Sequence, residues 1–213
     1  MQILNTIVLS AFLLLGFQAQ AYEFNWKAKR SPQKVGEVST FVSAVDGHAV
    51  KAFKGIVQVP YSVQQVTSLL KDHPQLPQWI YQSRLVIENI IPNDPSFYIV
   101  FNGIWPASDR DVVMDYRYVE DETSGGMRLH AWNNPGVYPK HPKRVRIPIL
   151  DNTWHIFPSS SGWTEVHFET FVDIGGHVPK WIANIIANDA PRRTLRGMRK
   201  MLDTGAYGPR STE

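Results

Sequence analysis

The alternation of apolar and polar residues near the C-terminal end predicts one long strand followed by one long helix. Residues 163–173 alternate, and the more apolar side of this strand consists of Thr164, Val166, Phe168, Thr170 and Val172. A Gly-Gly turn and Pro179 follow, and Pro is well suited to the first turn of a helix. Apolar residues then recur at intervals of three and four, as on one face of a helix. We therefore predict a strand over residues 163–173 and a helix over residues 180–202.

Earlier segments predict further strands and two short helices. Alternating runs at residues 37–45 and 48–59 meet at Asp46-Gly47, a dipeptide typical of β-hairpins. Ser62 is a suitable N-cap for a short amphipathic helix, and a second helical turn begins at residue 76. From residue 83 onward the alternation predicts antiparallel strands over residues 85–91, 96–104, 111–119, 127–132, 144–150, 153–157 and 163–173.

Two local predictions complete the expected fold. Asp151-Asn152 is interpreted as a two-residue loop, which would place Ile149 opposite Trp154. Residues 26–30 indicate a short amphipathic helical turn. A sheet of this many twisted strands curls, and the last helix can cover its concave face. We therefore predict an α+β helix-grip fold, a curved antiparallel sheet wrapped around a long C-terminal helix with an internal hydrophobic cavity.

The first 21 residues have the pattern of a secretory signal sequence. An apolar run over residues 7–17 precedes Ala19-Gln20-Ala21, the small-x-small pattern that signal peptidase recognises, although no Lys or Arg precedes the run. The run is shorter than the roughly 20 residues that a spanning helix needs. We expect residues 1–21 to be cleaved and residues 22–213 to form one domain. We also expect the protein to be exported, to the periplasm if the host is a Gram-negative bacterium.

Composition and charge argue against several classes of function. The chain has 213 residues and no Cys, so neither a disulfide framework nor a Cys-based metal site or nucleophile is available. The formal net charge of +3 lacks the basic excess typical of nucleic-acid-binding proteins. There is no Gly-x-Ser-x-Gly motif, and nothing orders the Ser, His and Asp residues into a triad. We expect no cofactor, no nucleic-acid partner and a monomer.

Four short motifs, in a characteristic order, carry a family resemblance. They are residues 105–111 (Trp-Pro-Ala-Ser-Asp-Arg-Asp), the Val145-Arg146 pair, the strand from Trp154 to Pro158, and residues 173–181, which lead into the last helix. Together with the order of elements they resemble the START family, the steroidogenic-acute-regulatory-related lipid-transfer domains, over essentially all of residues 22–213. The resemblance is closest to exported bacterial members.

The resemblance implies a hydrophobic tunnel for one lipid, gated by the last helix and an omega loop at roughly residues 103–108. In some sterol-binding members a buried acid–base pair lies at the end of the tunnel. Here the position of the base is Tyr116 and the acid's strand offers Phe101 and Asn102, so the polar anchor of those sterol-binding members is not present. The strand alternation and this gate together predict the ligand-binding residues Phe101, Trp105, Arg110, Val112, Met114, Tyr116, Ile147, Trp154, Phe168, Trp181, Ile182 and Ile185.

A cluster of titratable residues on two adjacent strands admits two interpretations. These residues share one parity and could hold a metal ion, but that parity belongs to the polar, outer face of the sheet. We favour a solvated face with cross-strand pairs to Arg144 and Arg146, and we predict no metal site. The residues are His155, Glu165, His167 and Glu169.

Arginines admit two interpretations at two places. Arg110 would either pair with a carboxylate at the base of the loop or bind a lipid head group through two hydrogen bonds. Cations on the last helix would either oppose its dipole or attract anionic phospholipids. The residues that we predict to contact a membrane surface transiently are Arg192, Arg193, Arg196 and Arg199.

The sequence favours a non-enzymatic protein that binds, and as a further expectation carries, one hydrophobic ligand, a lipid. The predicted interior is overwhelmingly apolar, as a lipid site requires, although alternation alone does not separate a tunnel from a packed core. Two alternatives stay open. One is a polyketide-cyclase or hydrolase-like enzyme that uses Tyr116 or Asp and Arg groups at the mouth. The other is a periplasmic accessory protein with a filled core.

Overall fold

The computed structural model describes residues 22–32, 34–159 and 162–211, so the predicted signal sequence lies outside the described residues. The helices are α1 Val63–Lys71, α2 Leu76–Trp79 and α3 Lys180–Leu202, with a 3-10 turn at His73–Gln75. The strands in these residues are β1 Lys27–Arg30, β2 Ser39–Ser43, β3 Ala52–Val59, β4 Ser83–Glu88, β5 Ser96–Phe101, β6 Arg110–Asp121, β7 Gly126–Asn133, β8 Val145–Arg146, β9 Ile149–Pro158 and β10 Thr164–Asp173.

The strands form one sheet that is antiparallel except at β8. The order is β1-β2-β3-β10-β9-β7-β6-β5-β4, and the short strand β8 pairs in parallel with β6. A twisted sheet of this size curls. The helix α3 packs against β3 and against α2 on the concave face, so the sheet wraps around it. This arrangement is the helix-grip fold that the order of elements predicts.

Local sequence explains where the helices begin. The hydroxyl of Ser62 accepts a hydrogen bond from the backbone N of Gln65, and the Gln65 side chain accepts one from the backbone N of Ser62, which forms a capping box. Pro179 immediately precedes α3, where its missing N–H is not needed. The predicted helix over residues 180–202 is confirmed at both ends. In the described chain, no helix has the length and apolar character needed to cross a membrane.

The inner, concave face of the sheet has the predicted parity. The register sets Phe168 opposite Trp154 and Val166 opposite Ile156, and all four side chains are buried. Each such burial removes apolar surface from water and stabilises the fold by about 1.5–3 kcal/mol. The second half of α3 closes this core with side chains that are fully buried: Leu195, Met198 and Leu202.

The outer face carries two smaller apolar clusters, each covered by an irregular segment. Phe171 interrupts the alternation of β10 because it is fully buried on this face, and it contacts the ring of Tyr22 edge-on at 4.7 Å. The N-terminal segment therefore covers one cluster, which is centred on Val45, Ala52 and Phe171. Tyr138 packs on the other, which consists of Tyr98, Val100 and Val113.

Two predicted elements were wrong. Residues 27–30 form an edge strand paired with β2 and not a helical turn. Asp151 and Asn152 lie inside the continuous strand β9, with β7 on one side and β10 on the other, so Ile149 lies opposite Asp173. Backbone pairing on both sides overrides the turn preference of Asp and Asn. Residues 144–150 consequently contain only β8 and the start of β9.

Candidate functional site

A cavity of about 70 Å³ lies between the inner face of the sheet and the helices. Its wall is mostly apolar and comes from α1, α2, α3 and the strands β5, β6, β7, β9 and β10. Aromatic side chains fill much of the cup, which keeps the cavity small. Trp154 stacks on Phe168 with ring centroids 4.1 Å apart, and Trp79 meets Trp154 edge-on at 5.8 Å.

The predicted ligand-binding residues on strands lie on the inner face. Four of them line the cavity: Phe101, Met114, Trp154 and Phe168. Val112 and Ile147 are buried in the adjoining core, and Tyr116 is half-buried with its ring 4.9 Å from that of His73. Strand alternation therefore identified the correct face, but it did not separate side chains that line the cavity from those that pack beside it.

The predicted residues outside the strands do not line the cavity. Trp105 is 86% exposed in the loop between β5 and β6, and Trp181 is 52% exposed. Ile182 is fully buried and Ile185 half-buried. Trp181 and Ile182 are about 100° apart around the helix, and the exposure of Trp181 places it on the solvent side. The helix contributes Thr194 to the wall instead, so the prediction that residues 181, 182 and 185 face the cavity was wrong.

The α1–α2 segment supplies one side of the wall, which sequence reasoning missed. Alternation along strands gives no information about helices that close the same cup. Asn152 was also missed, because it was assigned to a turn, although it shares its parity with Trp154 and Ile156. The missed residues of the helical segment are Leu70, His73, Leu76, Trp79 and Ile80.

A hydrogen-bonded polar group lies in the wall around His73. Its Nδ1 lies 2.9 Å from Glu88 Oε1, and its Nε2 lies 3.0 Å from the Tyr118 hydroxyl. That hydroxyl is also 3.1 Å from the Leu70 carbonyl, to which it donates. Burial, reinforced by Tyr116 and Glu88, raises the pKa of Tyr118, so the phenol stays protonated at neutral pH. These polar atoms satisfy one another within the protein.

Two other polar atoms in the wall are not satisfied. Asn152 Oδ1 and Trp79 Nε1 are buried, and neither has a hydrogen-bond partner in the described residues. An unsatisfied buried polar group costs about 1–3 kcal/mol. One acceptor and one donor on the cavity wall are therefore available to a bound molecule.

Asp111 belongs to a buried network on the outer face. It is 1% exposed and accepts hydrogen bonds from Arg146 Nε at 2.6 Å and from the Tyr98 hydroxyl at 2.7 Å. Arg146 also donates to backbone carbonyls in the segment between β7 and β8. The network fastens that segment to the sheet.

Arg110 points to the opposite, inner face, because neighbouring residues of a strand alternate. It lies opposite Phe101 in the β5–β6 register, is 6% exposed, and donates through Nη1 to the Ser108 carbonyl. No carboxylate among the described residues forms an ion pair with it, so of the two interpretations the pairing at the loop base is not observed there. Asp109 instead lies 2.8 Å from Arg84. Burial lowers the pKa of Arg110, and the nearby Asp109 charge opposes this effect.

The polar cluster of β9 and β10 lies on the outer face, as predicted. His167 lies opposite His155, its Nε2 is 2.6 Å from Glu165, and Lys54 is 2.9 Å from Glu169. The predicted pairs to Arg144 and Arg146 are not formed, because those arginines bond to Tyr98 and Asp111 beside β6. Across the described ranges, no group of three or more His, Asp or Glu side chains is arranged to hold a metal ion.

The arginines of α3 form a smaller exposed surface than the sequence predicts. Arg193 and Arg196 are exposed, whereas Arg192 and Arg199 are half-buried. Arg192 and Arg193 lie 3.3 and 3.5 Å from Asp189. Arg199 donates to the carbonyl of Gly36 at 2.7 Å and so fastens the helix to the segment before β2.

Comparison with known sequences links the chain to one family. The sequence model described as START domain matches residues 14–204. An uncharacterized protein of Pseudomonas aeruginosa is 28% identical over 198 residues, which cover 92% of this chain and 96% of that protein. The StAR-related lipid transfer protein 13 of Mus musculus is 26% identical over 176 residues, which cover 79% of this chain but 15% of that protein.

Solved structures share the fold. A STAR-related lipid transfer protein from Xanthomonas axonopodis superposes with a TM-score of 0.74 at 23% identity, covering 84% of this chain and 98% of that one. Human StAR-related lipid transfer protein 5 gives a TM-score of 0.72 at 17% identity, covering 84% of this chain and 86% of that one. The predicted helix-grip fold is confirmed.

Proposed function

Because the chain belongs to the START domain family, we propose that it binds one hydrophobic ligand, a lipid, in the cavity between the inner face of the sheet and the helices. The observation that carries this proposal is the apolar cavity enclosed within the main core. An acyl chain that enters it leaves water, which is favourable by about 0.8 kcal/mol per CH₂. The lipid-transfer proteins that share the fold support the same role.

Binding would require the cup to open. Ligand pockets commonly hold about 300–1,000 Å³, whereas this cavity holds about 70 Å³. We infer that α3 and the loop between β5 and β6 form the gate. One contact at this gate is polar: the Thr194 hydroxyl on α3 accepts a hydrogen bond from the backbone N of Tyr81, just after α2, at 3.2 Å. Separating α3 from α2 breaks this bond and widens the cavity at the same place.

We further propose that the protein carries its ligand to or from membranes. Arg193 and Arg196 are exposed and would attract anionic head groups. Trp105 and Trp181 are exposed members of a residue type that favours membrane interfaces. Transfer of a fluorescent phosphatidylcholine between two vesicle populations would measure this step. Faster transfer to anionic vesicles, lost in the double variant Arg193→Gln/Arg196→Gln, supports it, and no acceleration over the protein-free rate would contradict it.

Export is proposed from residues 1–21, which lie outside the described residues. Expression of the full chain in its host, followed by intact-mass measurement of the periplasmic fraction, tests it. A mature chain that begins at Tyr22 is expected. A full-length chain held in the cytoplasm would contradict export without affecting the proposal on ligand binding.

We propose a binding role and not a catalytic one. An enzyme on this scaffold needs polar groups that converge on a bound substrate. The interior Tyr116 packs against His73 and Phe97, and the polar atoms of His73 bond to Glu88 and Tyr118. A cyclase-like enzyme is the alternative, and recovery of a cyclised product from the purified protein would favour it.

Native mass spectrometry of the protein purified from its own host tests the binding proposal. One lipid retained per chain is the expected result. Phe168→Asp should abolish binding by placing a charge in the cavity wall, whereas the matched variant Phe157→Asp, on the outer face of the neighbouring strand, should retain it. Since a buried charge can also unfold the protein, Ala131→Leu provides a second test. It fills the cavity at a cost of about 1–3 kcal/mol, and normal ligand retention in a folded Ala131→Leu protein would contradict the proposed site.

A further inference from the structure

Arg110 is a buried cation whose hydrogen-bonding capacity is largely unused. A guanidinium carries five N–H donors. In the described residues Arg110 donates from Nη1 to the Ser108 carbonyl, and its Nε has no partner. Removing a charged group from water is strongly unfavourable unless a counter-charge and hydrogen bonds compensate. Folding therefore leaves the buried Nε donor of this side chain without a hydrogen bond.

The two neighbouring carboxylates are already engaged by other groups. Asp109 accepts from Arg84 at 2.8 Å and from the backbone N of Gly103 at 2.9 Å. Asp111 points to the outer face, where Arg146 binds it. No carboxylate in the described chain lies within 4 Å of Arg110 as an ion-pair partner. Asp109 therefore acts on Arg110 only through space, and no carboxylate of these residues is bonded to its guanidinium.

Arg110 is not part of the cavity wall, but its position on β6 places it next to that wall. It is directly opposite Phe101, whose side chain lines the cavity, and directly opposed residues have Cβ atoms about 4.5–5.5 Å apart. Met114, on the same face four residues along the same strand, also lines it. The loop that follows Phe101 returns to the sheet at Arg110, so the guanidinium lies at the rim of the cup beside the loop of the proposed gate.

We propose that Arg110 binds the anionic head group, a carboxylate or a phosphate, of an amphiphile whose acyl chain occupies the cavity. This inference rests on the proposed function and adds the class of head group. The Nη1 bond to Ser108 leaves the Nε and Nη2 side of the guanidinium for two parallel hydrogen bonds to one anion, the geometry that arginine forms with carboxylates and phosphates. The chain then extends from the rim past Phe101 toward Met114.

A pair of ligands with the same chain separates head-group recognition from chain burial. Oleate and oleyl alcohol are titrated into the protein, and binding is followed by isothermal titration calorimetry. The protein should bind oleate about tenfold or more tightly than oleyl alcohol, because a hydrogen-bonded charge pair forms only with the acid. Arg110→Gln should bring the ratio close to one, and Arg110→Lys should give an intermediate ratio. The control Arg30→Gln, which removes a guanidinium from an exposed ion pair with Glu37, should keep the preference of the native protein.

The outcomes distinguish this inference from the proposed function. Equal binding of the two ligands to the native protein would overturn the role of Arg110 but leave the cavity as a lipid site. Binding of neither would overturn both. Inorganic phosphate provides the third titration. Competition with oleate at similar concentrations would indicate a site for free anions and overturn the assignment to an amphiphile, whereas competition only at far higher concentrations supports it.

The ligand-free stability of Arg110→Met gives an independent readout, because Met keeps most of the apolar stem and removes the charge. If Arg110 serves to bind a ligand, the thermal unfolding midpoint of the Arg110→Met variant should equal or exceed that of the native protein. The variant should also lose the preference for oleate. A lowered midpoint with the preference retained would show that Arg110 serves to anchor the loop, and would overturn the proposal.

Discussion

Arg110 and Arg146 lie on paired strands, but their surroundings differ. Arg110 is buried as a whole residue, at 6% exposure, whereas Arg146 is half-buried as a residue and its side chain is 6% exposed. Arg146 donates to Asp111 and to the carbonyls of Pro135, Tyr138 and Pro139. Arg110 donates to one carbonyl. Arg146 is explained by folding, because its charge and its donors are matched. Arg110 is not, which is why we assign it to a ligand.

The register between β6 and β8 creates this difference. It pairs Arg110 with Val145 and Asp111 with Arg146. Since side chains alternate along a strand, the Asp and its Arg meet on the outer face, and Arg110 is left beside Val145 on the inner one. Two adjacent residues of one motif thus serve different purposes: one fastens a surface segment, and the other faces the cup.

The largest effect is expected from removing the carboxylate of the matched network. Asp111→Ala should lower the free energy of unfolding by about 3–5 kcal/mol, because Arg146 is left buried without its counter-charge. Urea denaturation measures this change. Glu37→Ala is the control, since it breaks an exposed ion pair with Arg30 and should cost about 0.2–1 kcal/mol. Similar losses in the two variants would contradict the distinction between the buried network and surface pairs.

An intermediate effect of opposite sign is expected inside the cavity. Asn152→Leu should raise the free energy of unfolding by about 1–3 kcal/mol, because a side chain of similar size replaces a buried amide whose Oδ1 has no partner. Asn133→Leu is the control. Its amide bonds to the Pro148 carbonyl and the Leu150 backbone N, so this change should destabilise the protein. Destabilisation by both substitutions would show that Asn152 is part of the packed fold.

The smallest effect concerns pH and the outer face. Burial lowers the pKa of His155 below its ordinary value of 6.5, with Arg128, His167 and Lys54 acting in the same direction and Glu169 against it. As pH falls below about 6.5, His155 takes up a proton in the unfolded chain before it does so in the folded protein. The free energy of unfolding that neutral His155 contributes above that pH is therefore lost as pH falls toward the pKa of the folded protein. The urea concentration at the unfolding midpoint should therefore fall less between about pH 8 and about pH 5 in His155→Gln than in the native protein. His177→Gln, at an exposed position, should show the native loss, and an unaltered pH dependence in His155→Gln would contradict the assignment.

Strand alternation was sufficient to predict which side chains lie on the inner face of the sheet, and helical periodicity was sufficient to predict where α3 begins and ends. Phe168 and Trp154 lie on the same inner face as predicted, because one buried face restricts the register to shifts of two residues. The turn at Asp151-Asn152 was wrong for the opposite reason. Local preference for a turn is weak compared with backbone pairing to a strand on each side, and those strands are distant in the sequence.

In the candidate site, too, the residues on strands were predicted correctly and those on helices were not. Side chains on strands were assigned to the correct face, whereas Trp181 was placed in the cavity and lies half-exposed, and the α1–α2 wall was missed. The periodicity of a helix shows which of its faces is apolar, but it does not show which other element that face packs against. The orientation of a helix depends on packing with elements far away in the chain, such as that of α3 against α2 and β3.

The limits of most elements and the apolar side of each long strand followed from local patterns, because each depends on residues within about ten positions of one another. The family resemblance added the order of four such local motifs along the chain. The free volume, the partners of each polar group and the isolation of Arg110 did not follow from local patterns. They depend on which strands become neighbours and on how completely aromatic side chains fill the space between sheet and helices. The pairing of β8 with β6 brings Arg146 to Asp111 across 35 residues on the outer face, whereas Arg110 lies on the inner face, where no carboxylate of the described residues forms an ion pair with it.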